Sequence, residues 1–204
     1  MKQKRKSALT QGEIQAIDHK PFIEPEVDAR YYLQLPVDKF IINMSAPMKA
    51  GYGHFFFLEL IQKLSQKYDQ LYFLITTNEV DPNFEEDLLE KLDQPSLYGK
   101  VSYLKFGKEL PDILKASDIF VSPYKAEGIF PSIILKAMAT ALPVISIQSK
   151  LSELVILDQV TGLLIQENDL DQAVAKLSTL IEDRALSSEL GSNGQKRVIE
   201  HFSL

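Results

Sequence analysis

Two short stretches of this chain hold residue types that can do chemistry. The first runs Ser122-Pro123-Tyr124-Lys125-Ala126-Glu127-Gly128-Ile129-Phe130 and leads into a stretch opened by Pro131. Proline suits the first helical turn, where its missing amide is not needed. Amides around Ile129, Phe130 and Ser132 then point out of a helix start, where the dipole favours an anion such as a phosphate. Glu127 is the sole carboxylate of that loop. Beside a diphosphate sugar it would orient hydroxyls or face developing positive charge. The plainer reading, a solvated loop glutamate, stands beside it.

The second stretch, Ser45 to Gly53, holds Lys49, Gly51 and Gly53. Glycines let a backbone approach a phosphate closely, and a lysine supplies charge. The spacing matches neither the dinucleotide fingerprint nor the P-loop. Gly51 and Gly53 are accounted for equally well as turn residues. His54 reads as structural or solvated rather than catalytic. With three histidines and no cysteine, there is no thiolate site, no disulfide and no ligand spacing for zinc.

The elements that must position these loops alternate. Strands are expected at 40–44, 70–76, 101–106, 119–121, 143–147 and 162–165. Helices are expected at 54–68, 83–92, 110–116, 131–141, 152–157, 169–181 and 185–201. Short apolar runs such as Phe40-Ile41-Ile42-Asn43-Met44 suit strands buried on both faces. Asp169 is placed to cap a helix. Gly191-Ser192-Asn193-Gly194 is expected to interrupt the last helix, since glycine costs about 1 kcal/mol in a helix interior. This order predicts an α/β fold: a Rossmann-like, doubly wound parallel sheet of about six strands with helices on both faces. Ligand loops then lie at the carboxyl ends of the strands. Residues 1–29 read as a polar segment or linker and 30–204 as the domain.

Composition narrows the function. Of 204 residues, 45% are hydrophobic and 25% charged, which is ordinary for a globular chain. Lys2, Lys4, Arg5 and Lys6 hold four of the 22 basic residues, leaving 18 against 28 acidic ones. So acidic a body is a poor nucleic-acid binder. No apolar run approaches the roughly 20 residues that cross a bilayer. The absence of cysteine fits a cytoplasmic protein.

Several motifs, in order, resemble glycosyltransferase family 4, the retaining group with GT-B architecture. Phe130-Pro131-Ser132-Ile133-Ile134-Leu135-Lys136-Ala137-Met138-Ala139 is similar to its donor-site segment F-P-x-x-x-L-E-A-M-A. Pro143-Val144-Ile145, then Glu153-Leu154-Val155, Asp158 and Val160-Thr161-Gly162-Leu163-Leu164-Ile165, follow in the family's order. Leu110 to Val121 and the tail from Asp183 to Ser203 also match. The resemblance covers about residues 23 to 204.

It implies a carboxyl-terminal, nucleotide-sugar-binding lobe of a two-domain enzyme. A hexose would pass from a nucleoside-diphosphate sugar to an unknown acceptor, with retention at the anomeric carbon. No metal or other cofactor is expected. Helix-start amides and basic side chains would stabilise the departing diphosphate. Glu127 would be the catalytic carboxylate. Donor contacts would come from Lys49, Gly51, Gly53, Leu104, Gly128, Ile129, Phe130, Ser132 and Lys136, with Leu104 to Phe106 near the base. The partners implied are the nucleotide sugar and an amino-terminal acceptor-binding domain. Nucleic acid is not among them, and a peripheral membrane contact would belong to the full-length protein. Half of the active cleft would then lie outside this chain, leaving it inactive alone. The family also continues past the place of Leu204 into a helix that packs on the other lobe.

The departures are chemical. The family has two glutamates eight positions apart. Glu127 takes the first place only with one extra residue before Phe130, and Lys136 takes the second. There the family's glutamate grips ribose hydroxyls, and a lysine offers no acceptor. Ala46 and Tyr52 stand near the family's arginine and lysine, which leaves Lys49 to supply charge from a shifted position. The alternative function is therefore a degenerate lobe that binds or regulates without transfer.

Overall fold

A computed structural model describes residues 16–23, 28–125 and 132–204. Its centre is one sheet of six strands: β1 (Phe40–Ser45), β2 (Leu71–Thr77), β3 (Val101–Lys105), β4 (Ile119–Ser122), β5 (Val144–Ile147) and β6 (Leu163–Ile165). All pairings are parallel and the order is β3-β2-β1-β4-β5-β6. The order reverses between β1 and β4, and a doubly wound sheet opens a crevice at that switch. The fold class is the one the alternating pattern predicts.

The apolar runs form strands because both sheet faces are covered. Every residue of β1, β4, β5 and β6 is buried. Phe40, Ile42 and Met44 pack on one face with Phe57, Leu60, Ile61 and Leu64 of α3 (His54–Ser65) and Leu177 and Leu180 of α8 (Leu170–Glu182). Phe120, Val144 and Leu164 point the other way. They meet Leu114 of α5 (Leu110–Lys115), Leu135 and Met138 of α6 (Ser132–Ala139), and Val198 of α9 (Arg184–His201). Strands buried on both faces need this two-sided cover. Among the described residues the remaining α-helices are α1 (Lys20–Ile23), α2 (Ala29–Tyr32), α4 (Pro82–Leu92) and α7 (Lys150–Val155).

Helix starts follow local chemistry. Asp169 accepts from the Gln172 amide at 2.9 Å, and Asp183 from the Leu186 amide at 2.9 Å. Ser149 and Ser152 cap each other's amides at the start of α7. The expected break at Gly191 to Gly194 does not occur, and α9 runs unbroken from Arg184 to His201. These glycines serve packing. A Cβ on Gly191 would lie 2.0 Å from the Ala141 carbonyl oxygen, so only glycine lets α9 come this close behind α6. That contact outweighs the propensity cost.

The segment before residue 29 adds to the core. Ile17 and Phe22 are buried. The Ile17 amide donates to the Phe202 carbonyl at 2.9 Å, and the Leu204 amide donates to the Ile17 carbonyl at 3.1 Å. Among the described residues, no helix is long and apolar enough to cross a membrane.

Candidate active site

A cleft of about 780 Å³ opens at the carboxyl ends of the strands. Its walls come from the loop after β1, the end of β4, the face of α6 and the turn after β6. These elements surround the switch point, so the sheet order itself places the cleft.

The loop after β1 is tied by hydrogen bonds to the segment that follows β2. The Met48 amide donates to the Glu79 carbonyl at 2.7 Å, and the Asp81 amide returns a bond to the Met48 carbonyl at 2.9 Å. The Thr77 hydroxyl accepts from the Met48 amide and donates to the Glu79 carbonyl. Lys49 Nζ then meets Glu79 Oε1 at 2.7 Å. That hydrogen bond holds the lysine pKa above its ordinary value. Gly51 and Gly53 both have φ in the left-handed region, +87° and +74°. Around Gly51 the space is open, so its glycine serves the turn alone. At Gly53 a Cβ would lie 2.1 Å from the Pro123 carbonyl oxygen. The missing side chain there makes room for the end of β4.

Two tyrosines sit where these loops meet. The Tyr52 and Tyr124 rings lie 5.0 Å apart and tilted. Burial pushes the Tyr124 hydroxyl up to about 12. His54, the first residue of α3, is buried, and neither ring nitrogen has a hydrogen-bond partner among the described residues. Burial lowers its pKa to about 4, and its ring meets the edge of Phe84 at 5.4 Å. Its burial excludes the solvated alternative that the sequence left open and fits the structural one.

The opposite wall is α6. Ser132, Ile133 and Lys136 face the cleft. Ser132 and Lys136 are four residues apart and share a helix face. Lys125, three residues after β4, pairs with Glu167. Asn168 beside it adopts a left-handed backbone, with φ +59°. Both belong to the turn after β6 and line the cleft.

The cleft therefore gathers Lys49, Gly51, Gly53, Ser132 and Lys136 of the expected donor-site residues. Leu104 lies apart, in a smaller depression with Tyr32, Leu33 and Ile113; Phe106, two residues on, reaches the main cleft. Glu127, Gly128, Ile129 and Phe130 lie outside the described residues. Sequence reasoning missed Tyr52 and Tyr124 as a pair, the Lys125–Glu167 pair and Asn168. The rule that ligand loops follow each strand pointed to the turn after β6, where Glu167 and Asn168 stand. Among the described residues, no group of His, Asp and Glu is arranged to hold a metal ion.

Residues 29–197 match the family described as glycosyl transferases group 1. The chain belongs to that family. It is 32% identical over 123 residues to the lipopolysaccharide core biosynthesis mannosyltransferase LpsB of Rhizobium meliloti, covering 59% of this chain and 35% of that protein. It is 28% identical over 127 residues to the Escherichia coli UDP-Gal:alpha-D-GlcNAc-diphosphoundecaprenol alpha-1,3-galactosyltransferase, covering 62% of this chain and 30% of that protein. The chain thus spans about a third of the length of these curated relatives. Among solved structures, Anabaena HepE in complex with UDP and glucose superposes with a TM-score of 0.82 at 19% identity, over 92% of this chain and 52% of HepE. The carboxyl-terminal domain of the group 1 glycosyl transferase LpcC from Francisella tularensis superposes with a TM-score of 0.79 at 24% identity, over 92% of this chain and 99% of that domain. The fold of this glycosyl transferase group 1 domain is that of a GT-B lobe.

Proposed function

We propose that this domain is the donor-binding lobe of a retaining glycosyltransferase of family 4. It takes a nucleoside-diphosphate sugar and transfers the hexose to an acceptor held by an amino-terminal lobe. The observation that carries this is the cleft at the β1/β4 switch, lined by lysines and by the helix α6, in a chain of the group 1 family. HepE, which shares the fold, is described in complex with UDP and glucose.

In that role the cleft residues act electrostatically. As the bond from the anomeric carbon to the diphosphate breaks, negative charge grows on the leaving oxygen. Lysines fixed on the walls lower the energy of that charge, and need not reorganise as it develops. No metal ion is required. Glu127 is assigned to the sugar side, where it faces the positive charge developing on the ring. An acceptor brought by the second lobe completes the reaction, so the isolated domain turns over no donor. A peripheral membrane contact, where one is made, belongs to the full-length protein, and the cytoplasm is the compartment proposed.

A second reading is a degenerate lobe that serves a partner without transfer. It is favoured by the cleft lysines: Lys49 and Lys125 are engaged by carboxylates, and Lys136 stands where family 4 has a glutamate. Calorimetry with UDP, GDP and ADP separates the two. Saturable binding of one of them supports the donor lobe. Silence towards all three at millimolar concentration supports the degenerate one.

A further inference from the structure

Three lysines line the cleft among the described residues, and they are not equivalent. Lys49 is held by Glu79 and Lys125 by Glu167. Lys136 has neither a carboxylate partner nor a hydrogen-bond acceptor among the described residues. It is nonetheless partly buried, on the wall of a concave site. An ammonium held on such a wall loses part of its hydration without compensation, and an arriving anion restores it.

The hydrogen-bonding capacity of this wall is one-sided. The ammonium offers three donors and no acceptor. One turn earlier Ser132 adds a hydroxyl, and Ile133 between them is apolar. Among the described side chains of this wall, a hydroxyl donor finds only the serine oxygen to accept it. A phosphoryl oxygen finds both side chains ready to donate. Lys49 and Lys125 stand on other walls of the same cleft, so the full lysine set suits a polyanion better than a single carboxylate.

We propose that Lys136 binds the diphosphate of the nucleotide, making the α6 wall a phosphate site rather than a contact for ribose hydroxyls. The inference rests on the assignment of this cleft as the nucleotide pocket. It assigns this role to the one cleft lysine that is unpaired among the described residues, whereas the lysines of the other walls are held in ion pairs.

The test is calorimetry on the whole chain with UDP, GDP, ADP and inorganic pyrophosphate, comparing wild type with Lys136→Gln and Lys136→Glu. With the tightest nucleotide of the panel, Lys136→Gln is expected to weaken binding about ten-fold, and Lys136→Glu more. Pyrophosphate is expected to compete with that nucleotide in the wild type and to lose this ability in both variants. The wild type provides a second measure without any substitution: its nucleotide affinity falls as salt rises. Equal affinity in all three proteins overturns the inference, as does tighter binding by Lys136→Glu, which would place residue 136 at the ribose hydroxyls. Either result leaves the nucleotide pocket standing. Absence of binding by the wild type removes the pocket assignment and the inference together.

Discussion

The two walls of the cleft solve different problems. The loop after β1 looks like a ligand loop, with two glycines and a lysine, yet most of these features are engaged by the protein. Gly53 receives the Pro123 carbonyl, and Glu79 holds Lys49. The α6 wall looks unremarkable by pattern, with a lysine in an apolar helix, yet Lys136 is left unpaired among the described residues. A glycine or lysine near a strand end is therefore weak evidence of binding until its neighbours are known. What discriminates is whether packing or an ion pair already uses it.

The sharpest way to break this contrast is to put a side chain on each glycine of the loop. Gly53→Ala forces a Cβ into the Pro123 backbone and strains a left-handed φ. It is expected to cost about 4 kcal/mol in chemical denaturation. Gly51→Ala carries only the conformational penalty, about 1 kcal/mol. Equal effects would mean that the close approach at Gly53 is relaxed and its glycine is free for a ligand.

The α6 wall has a close contact too, placed behind the helix. Gly191→Ala sets a Cβ 2.0 Å from the Ala141 carbonyl oxygen, against a backbone that cannot swing aside. A loss of about 3 kcal/mol is expected, although alanine is the better helix former by about 1 kcal/mol. A gain in stability would show that α9 shifts away and that the helix behind α6 is not fixed.

These contacts mark how far the sequence could be read. Alternating apolar runs and helical stretches carry the sheet, since strands buried on both faces leave continuous runs such as Phe40 to Met44. The Asp169 cap was legible because a short acidic side chain before a periodic stretch has one common use. Gly191 and Gly194 were misleading, because propensity is local while the approach of α9 to Ala141 joins residues distant in the chain. For the same reason the pairing of Tyr52 with Tyr124, and of Lys125 with Glu167, had no local signal. The cleft as a place was legible from topology; which lysine is left unpaired among the described residues was not.

His54 tests the packed wall by titration. Its folded pKa is lowered to about 4 by burial, against about 6.5 in the unfolded chain. The unfolded state binds the proton first, so the stability from keeping this ring neutral is full above about pH 6.5. It is lost as pH falls towards 4. Between pH 7 and 5 this one group removes about 2 kcal/mol. In His54→Phe, which keeps an aromatic ring beside Phe84, denaturation midpoints are expected to fall less steeply over that range. Parallel profiles for the two proteins would show that the imidazole is solvated and the wall looser than its packing implies.

The smallest effect belongs to Lys49, and it bears most directly on the contrast between the walls. The ion pair with Glu79 is exposed, and such pairs contribute little to stability. Lys49→Gln is therefore expected to leave the denaturation midpoint unchanged. Its effect on binding is also expected to be modest, because a diphosphate must draw this lysine away from Glu79, and that competing attraction offsets part of the new contact. About a three-fold weakening is expected, against about ten-fold for Lys136→Gln. The single variant Glu79→Gln, with Lys49 intact, sharpens the point: releasing the lysine removes the competition and should tighten the same nucleotide. If Lys49→Gln instead weakens binding as much as Lys136→Gln, the anion is shared equally between the walls, and pairing in the free protein does not predict which lysine meets the ligand.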